Sequence, residues 1–257
     1  MFEQKTNDAL AESTSARALL QKAPGRLIAN VANALPGDYL SNYSQCLLNR
    51  QIDIFDDAKF LLDNNRIPSA CAISRAMIET YAIAKLLGTT IESALNKNQG
   101  RASADDCLAI TLRFTNSSRF KETEQKKMAN GIFSPNDYKF TKQASERMLK
   151  LLATSEHVMN ALRALYKEEM TNTGKLESLF ELIYDGLSEW VHPSQTSIFH
   201  NYVPDTHLVP TSAGETYLHD TARLLCIRAL HFITQASLIH AWLVALSNEI
   251  DMRAQSQ

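Results

Sequence analysis

Arg75 and Glu79 stand four residues apart in a stretch that is otherwise almost wholly apolar, and Tyr184, Ser188 and His192 stand four apart in another. At 3.6 residues per turn each set forms one row along a helix. A guanidinium can hold an anion, an imidazole can exchange a proton near neutral pH, and a carboxylate can orient either. The residue before a proline is pushed out of helical geometry, so His192, ahead of Pro193, is expected at or just past a helix end. There the last-turn carbonyls favour the protonated ring. Gly186 inside the same helix is unfavourable unless something packs closely against it.

A buried arginine needs carboxylate or hydroxyl partners, and Glu79, Tyr184, Ser188, Glu181 and Glu189 are on offer. Two readings fit. In one, Arg75, Glu79, Tyr184, Ser188 and His192 form a catalytic site in which Arg75 holds an anion and His192 handles the proton. In the other they are a buried structural network that pins two helices together.

Weaker candidates surround them. Arg228, His231 and Gln235 share a helix face and read as satisfied core groups. Phe199, His200 and Tyr202 are of a type that stacks on a base, with loop packing as the plainer role. Arg113, Arg119, Lys121, Lys126 and Lys127 could follow a phosphate backbone or simply form a solvated helix face. No Walker loop, GxGxxG, HExxH or paired-carboxylate spacing is present, and no cofactor is expected. The four cysteines, Cys46, Cys71, Cys107 and Cys226, lack metal-ligand spacing, so no metal is expected and they read as reduced, buried thiols of a cytoplasmic protein.

The elements that must position these residues are helical. Eight glycines and seven prolines in 257 residues favour long helices over many short strands. Apolar residues at 45% and charged residues at 21% suit a soluble globular chain, and a formal charge of −2 excludes a globally basic nucleic-acid binder. The pattern predicts helices over 7–22, 38–64 with Asp38 as N-cap, 68–87 closing at Gly88, 103–114, 136–153, 155–170, 175–191 and 212–250. In the 175–191 helix, Leu176, Leu179, Phe180, Ile183, Leu187 and Trp190 are expected to face a core. The last helix opens on a Ser212/Glu215 capping box, and alanine recurs every seven residues at 222, 229 and 236.

The expected architecture is an all-α helical bundle, one domain over 1–257 with a long C-terminal helix and a variable basic helical insertion over 89–174. From Arg113 to Lys150 there are nine Lys/Arg against four Asp/Glu. The N-terminus MFEQKTNDALAES has no apolar core region, so no signal peptide is expected. The uncharged run 229–248 is long enough for a bilayer, but its His231, Thr234, Gln235, Ser237 and His240 favour a buried soluble helix over a membrane span. The last helix, longer than one bundle needs, points to a homodimer.

The blocks LLNRQIDIFDDAKFLLDNNRIPSACAISRAMIETYAIAKLL and LFELIYDGLSEWVHPSQTSI together resemble a bacterial family catalogued only as a domain of unknown function. Its proteins pair an A-x-x-x-x-R-x-x-x-E helix with a later Y-x-x-x-S-x-x-x-H-P/G-S element. The matching positions are Ala70, Arg75 and Glu79, then Tyr184, Ser188, His192 and Ser194. More distantly the layout resembles the HEPN superfamily of helical bundles, common in phage defence and toxin–antitoxin systems. HEPN members with an R-x4-6-H motif are metal-independent ribonucleases that often dimerise. The resemblance implies an RNA- or nucleotide-directed effector in bacterial defence or stress. Here Leu187, Gly186 and Asp185 occupy the positions where that arginine would stand, so Arg75 would have to supply the charge through tertiary packing. The alternative is a non-catalytic helical interaction or dimerisation module.

Overall fold

Every described element of the computed structural model is an α-helix, and no strand occurs among the described residues, which are 2–25, 34–97, 100–115, 157–194, 197–198 and 211–255. The helices are α1 (Phe2–Ala18), α2 (Pro36–Asp63), α3 (Ile67–Lys97), α4 (Gly100–Thr115), α5 (Val158–Thr173), α6 (Leu179–Val191), α7 (Thr211–Leu230) and α8 (Ile233–Gln255). The expected all-α bundle with a long C-terminal helix is what forms. The expected helix over 136–153, most of the basic run and the aromatic loop residues Phe199, His200 and Tyr202 lie outside the described residues.

The chain groups into two compact units. One comprises 1–21, 49–81 and 165–237, the other 22–48, 82–164 and 238–257. In the first, α7 packs against both α1 and α6. Its core holds Ile52, Phe55, Leu62, Met77, Ile78, Ile183, Leu187 and the alanine row Ala222, Ala229 and Ala236. Tyr81, Phe180 and Phe232 form a tilted ring cluster in the same unit. In the second, Leu40, Leu87, Ile91, Phe114, Leu162, Leu243 and Ile250 are buried.

Helix ends explain where the sequence expectations shift. Pro36 and Gly37 do not break the chain ahead of α2 but begin it. Pro36 takes the first helical position, where a missing N–H is harmless. Asp38 is then three residues past the cap and not the cap itself, and its Oδ2 accepts the Leu35 N–H at 2.8 Å, half of a capping box. At the other end Asn65 adopts φ 54°, Arg66 N–H bonds Leu61 O at 2.8 Å and Asn65 N–H bonds Leu62 O at 3.1 Å. That pair of bonds is a Schellman closure, which stops α2 cleanly before α3.

Gly88 does not close α3, which runs on to Lys97. A Cβ at Gly88 would stand 2.1 Å from Trp242 Cζ3, so the glycine marks a close approach of an indole and not a helix end. Gly174, at φ +66°, does end α5, one residue past its last turn. α1 stops at Ala18, short of the expected position 22, with Leu19 and Leu20 bonding back as turns. The C-terminal helix runs as α7 and α8 through a two-residue step at His231–Phe232, where bonds shorten to the i−3 carbonyl. The side chains of the expected Ser212/Glu215 box fall outside the described residues.

His219–Gln255 is long and apolar enough to cross a bilayer by length and composition alone. Its polar side chains nonetheless find partners within the chain. His231 Nδ1 lies 3.1 Å from Ser13 Oγ, His240 Nδ1 lies 2.8 Å from Ser44 Oγ, and Asp251 Oδ1 accepts the Gly37 N–H at 2.7 Å. Burial holds His240 below the usual imidazole range, which keeps it neutral opposite Ser44. Of the four cysteines, Cys71, Cys107 and Cys226 are buried as expected, but Cys46 is exposed.

Candidate functional site

α3 and α6 carry the polar rows that the sequence singles out. Arg75 Nε donates to Glu79 Oε1 at 3.1 Å, one turn along α3. From α6, Tyr184 reaches both: Arg75 Nη2 donates to Tyr184 Oη at 2.6 Å, and Tyr184 O–H donates to Glu79 Oε1 at 3.1 Å. Three side chains thus close a ring of hydrogen bonds across two helices. The Arg75 guanidinium carbon also stands 4.6 Å from the Tyr184 ring centroid, a cation–π distance. Burial, then the Glu79 charge, pushes the Tyr184 hydroxyl up, so it stays protonated and able to donate. The Arg75 and Glu79 side chains keep 20% and 27% of their surface in solvent.

Ser188 and His192 do not join that ring. Ser188 Oγ donates to Tyr184 O at 2.7 Å, the back-bond to the preceding turn that serine makes inside helices. His192 is the C-cap of α6, with φ −87°, ψ 154° and its N–H on Ser188 O, as Pro193 dictates. Its ring is exposed and makes no hydrogen bond among the described residues. Eight residues separate it from Tyr184, about 12 Å along the helix axis. Ser194 N–H bonds the His192 carbonyl at 2.6 Å, and Ser197 Oγ donates to the same oxygen.

α6 is set in place by residues that the sequence reading passed over. Ser178 caps it, its Oγ accepting the Glu181 N–H at 3.3 Å, and Glu169 of α5 accepts from Ser178 Oγ at 2.5 Å and from Phe180 N–H at 3.3 Å. A carboxylate at a helix N-terminus is favoured by the dipole. The helix therefore begins at Leu179 and not at Lys175, and Leu176 and Leu179, expected in a core, are exposed instead. The S-x-x-E spacing from Ser178 to Glu181 was the available signal. Gly186 meets its expectation: a Cβ there would sit 2.7 Å from Leu225 Cδ1 of α7.

Tyr166 of α5 is the other residue missed, because it reads as part of the apolar stripe with Leu162 and Leu165. Its hydroxyl is buried and has no hydrogen-bond partner among the described residues. Burial raises its pKa first, and the charges of Asp185, Tyr184 and Glu181 raise it further, against Arg75. Tyr166→Phe is therefore expected to raise stability by about 1 kcal/mol, since it removes an unsatisfied buried group while keeping the ring. A melt in which the variant is less stable than the parent would show that the hydroxyl is bonded.

The remaining candidates scatter. Arg228 and Gln235 are exposed and not in the interior, while His231 holds Ser13. Arg113 is half-buried on α4, and burial lowers its pKa. Arg119, Lys121, Lys126 and Lys127 lie outside the described residues. No group of three or more His, Cys, Asp or Glu with metal-holding geometry occurs among the described residues.

A family model described as a family of unknown function, DUF5677, matches residues 41–206, a range that takes in Arg75, Glu79, Tyr184, Ser188 and His192 and also the basic run. No curated protein matches the chain, and no solved structure matches it.

Proposed function

The chain belongs to the DUF5677 family, and from that premise we propose that it is a HEPN-like helical interaction module of a bacterial defence or stress system, working in the cytoplasm. One observation carries this reading: the Arg75–Glu79–Tyr184 ring closes on itself. The guanidinium charge is already balanced by Glu79, and the carboxylates that act on the Tyr166 hydroxyl, Asp185 and Glu181, add further negative charge. A phosphate would enter a field that is acidic on balance, which is poor for phosphate capture and suitable for fixing α3 to α6.

The second reading, an RNA- or nucleotide-directed effector with metal-independent cleavage, draws on His192. That ring is exposed, and Arg75 Nη1 is bonded to no described residue. RNA incubated with the protein in chelator separates the two. The module reading expects no cleavage above buffer from the parent, and a His192→Ala protein that melts with it. Cleavage that disappears in His192→Ala would replace the module by the effector.

The proposal includes a homodimer. Supporting it is a row on α8, Leu238, Ala241, Ala245, Asn248 and Met252, all exposed and spaced alternately by three and four. That is the spacing of a helix–helix seam. The alanine row Ala222, Ala229 and Ala236, by contrast, is already buried within the chain's own first unit. Sedimentation is expected to give twice the chain mass for the parent and 28.8 kDa for Leu238→Glu combined with Met252→Glu. A parent at the single-chain mass at every concentration would remove the dimer.

A further inference from the structure

The entry to α6 presents an apolar groove of about 430 Å³ lined by Lys175, Leu176, Glu177, Leu179 and Leu182. Leu176 is 97% exposed, Leu182 55% and Leu179 40%. Three large leucines gathered on one short stretch are unlike singly scattered surface apolar residues, and such clusters mark binding surfaces. The groove continues into a row of acids. Glu177, Glu181, Asp185 and Glu189 are four apart and all exposed, with Lys175 the one cation between residues 175 and 191. None of the four makes an ion pair among the described residues.

Glu181, Asp185 and Glu189 lie within α6, where like charges at i,i+4 repel and weaken the helix that carries them. A row without an ion pair among the described residues is relieved by cations brought to it. The buried Tyr166 hydroxyl, 7% exposed as a residue and without a partner among the described residues, lies within electrostatic reach of Asp185 and Glu181.

We propose that this face of α6 docks a basic amphipathic helix of a partner protein, whose apolar anchors enter the Leu176–Leu179–Leu182 groove while its lysines or arginines pair with Glu177, Glu181, Asp185 and Glu189. The inference rests on the module reading and gives it a class of partner. Charge decides the occupant. A second copy of the same face would set acids against acids, and nucleic acid would set phosphates against them. A helix lying in an apolar groove with a complementary charged rim is a recurrent recognition mode.

The test titrates the full-length protein against a fluorescent helical peptide built of leucine and lysine, with leucines at i, i+3, i+4 and i+7, and against its leucine–glutamate counterpart. The parent is expected to bind the lysine peptide and not the glutamate one. Leu182→Asp and Asp185→Lys are each expected to weaken binding about tenfold or more. Leu176→Asp, outside the helix, repeats the test should Leu182→Asp fold poorly. Glu92→Lys, an exposed acid on α3, is expected to bind as the parent does. No binding by the parent, equal affinity in the groove variants, or an equal loss in Glu92→Lys would overturn the proposal. The chelated RNA assay reads separately: silent RNA with no peptide binding removes the groove and keeps the module, whereas His192-dependent cleavage removes the module.

Discussion

Gly37→Ala is expected to destabilise the protein by about 3–4 kcal/mol. A Cβ at Gly37 would stand 2.2 Å from the Ser247 carbonyl oxygen and 2.6 Å from Asp251 Oδ1. A backbone oxygen inside α8 cannot step aside as a side-chain tip can, so the first turn of α2 has to lift away. Lifting breaks the Gly37 N–H bond to Asp251, a charge-assisted bond. It also strands a carboxylate that burial already holds above the usual range, despite the Gly37 N–H and alongside Asp38. Urea unfolding at constant m checks it. A midpoint within error of the parent would mean that α2 and α8 do not approach as described.

Arg75→Ala is expected to lower stability by about 2–3 kcal/mol. Removing the guanidinium leaves Glu79 with only the Tyr184 hydroxyl, and leaves the Tyr184 ring without the cation above it. Breaking a fully buried ion pair costs more, but a fifth of the Arg75 side chain and about a quarter of Glu79 reach water, and solvent takes up part of the loss. His192→Ala is expected to leave the melt unchanged, because that ring is exposed at the end of α6. A stable Arg75→Ala protein would mean that the ring is not what fixes α3 to α6.

Much of this was legible in the sequence, and the parts that were not fail for identifiable reasons. The spacing of apolar residues is a helix property, so α2 to α7 could be placed from periodicity, and Gly174 marked the end of α5. Gly88 misled because glycine serves two purposes, ending a helix and admitting a neighbour. Only the tertiary partner, Trp242, tells the two apart. Arg75, Glu79 and Tyr184 come together because a charge in an apolar helix must find partners. Ser188 shares their row, yet its hydroxyl is taken by the carbonyl four residues back, a local option that spacing alone does not reveal. His192 shares the row too, but two helical turns and a cap separate it from Arg75. Tyr166 went unnoticed because one phenol in an apolar stripe looks like any other core ring.

The acidic row that leads into α6 and runs along it was in plain view as charges at 177, 181, 185 and 189. It gained meaning only when α6 was found to start at Leu179. That start turned Leu176 and Leu179 from expected core into exposed surface beside those acids. A shift of a few residues in one helix start thus converts an expected packing face into an exposed one.

The central claim is that Arg75, Glu79 and Tyr184 act as one structural unit joining α3 to α6, and a double-mutant cycle tests it most directly. Arg75→Met and Tyr184→Phe keep most of the packing while removing the charge and the hydroxyl. Urea unfolding of the parent, both single variants and the double variant gives their interaction energy. A closed ring predicts a coupling of about 1–2 kcal/mol. Additivity to within about 0.5 kcal/mol would contradict it, leaving Arg75 free to hold something other than its own fold.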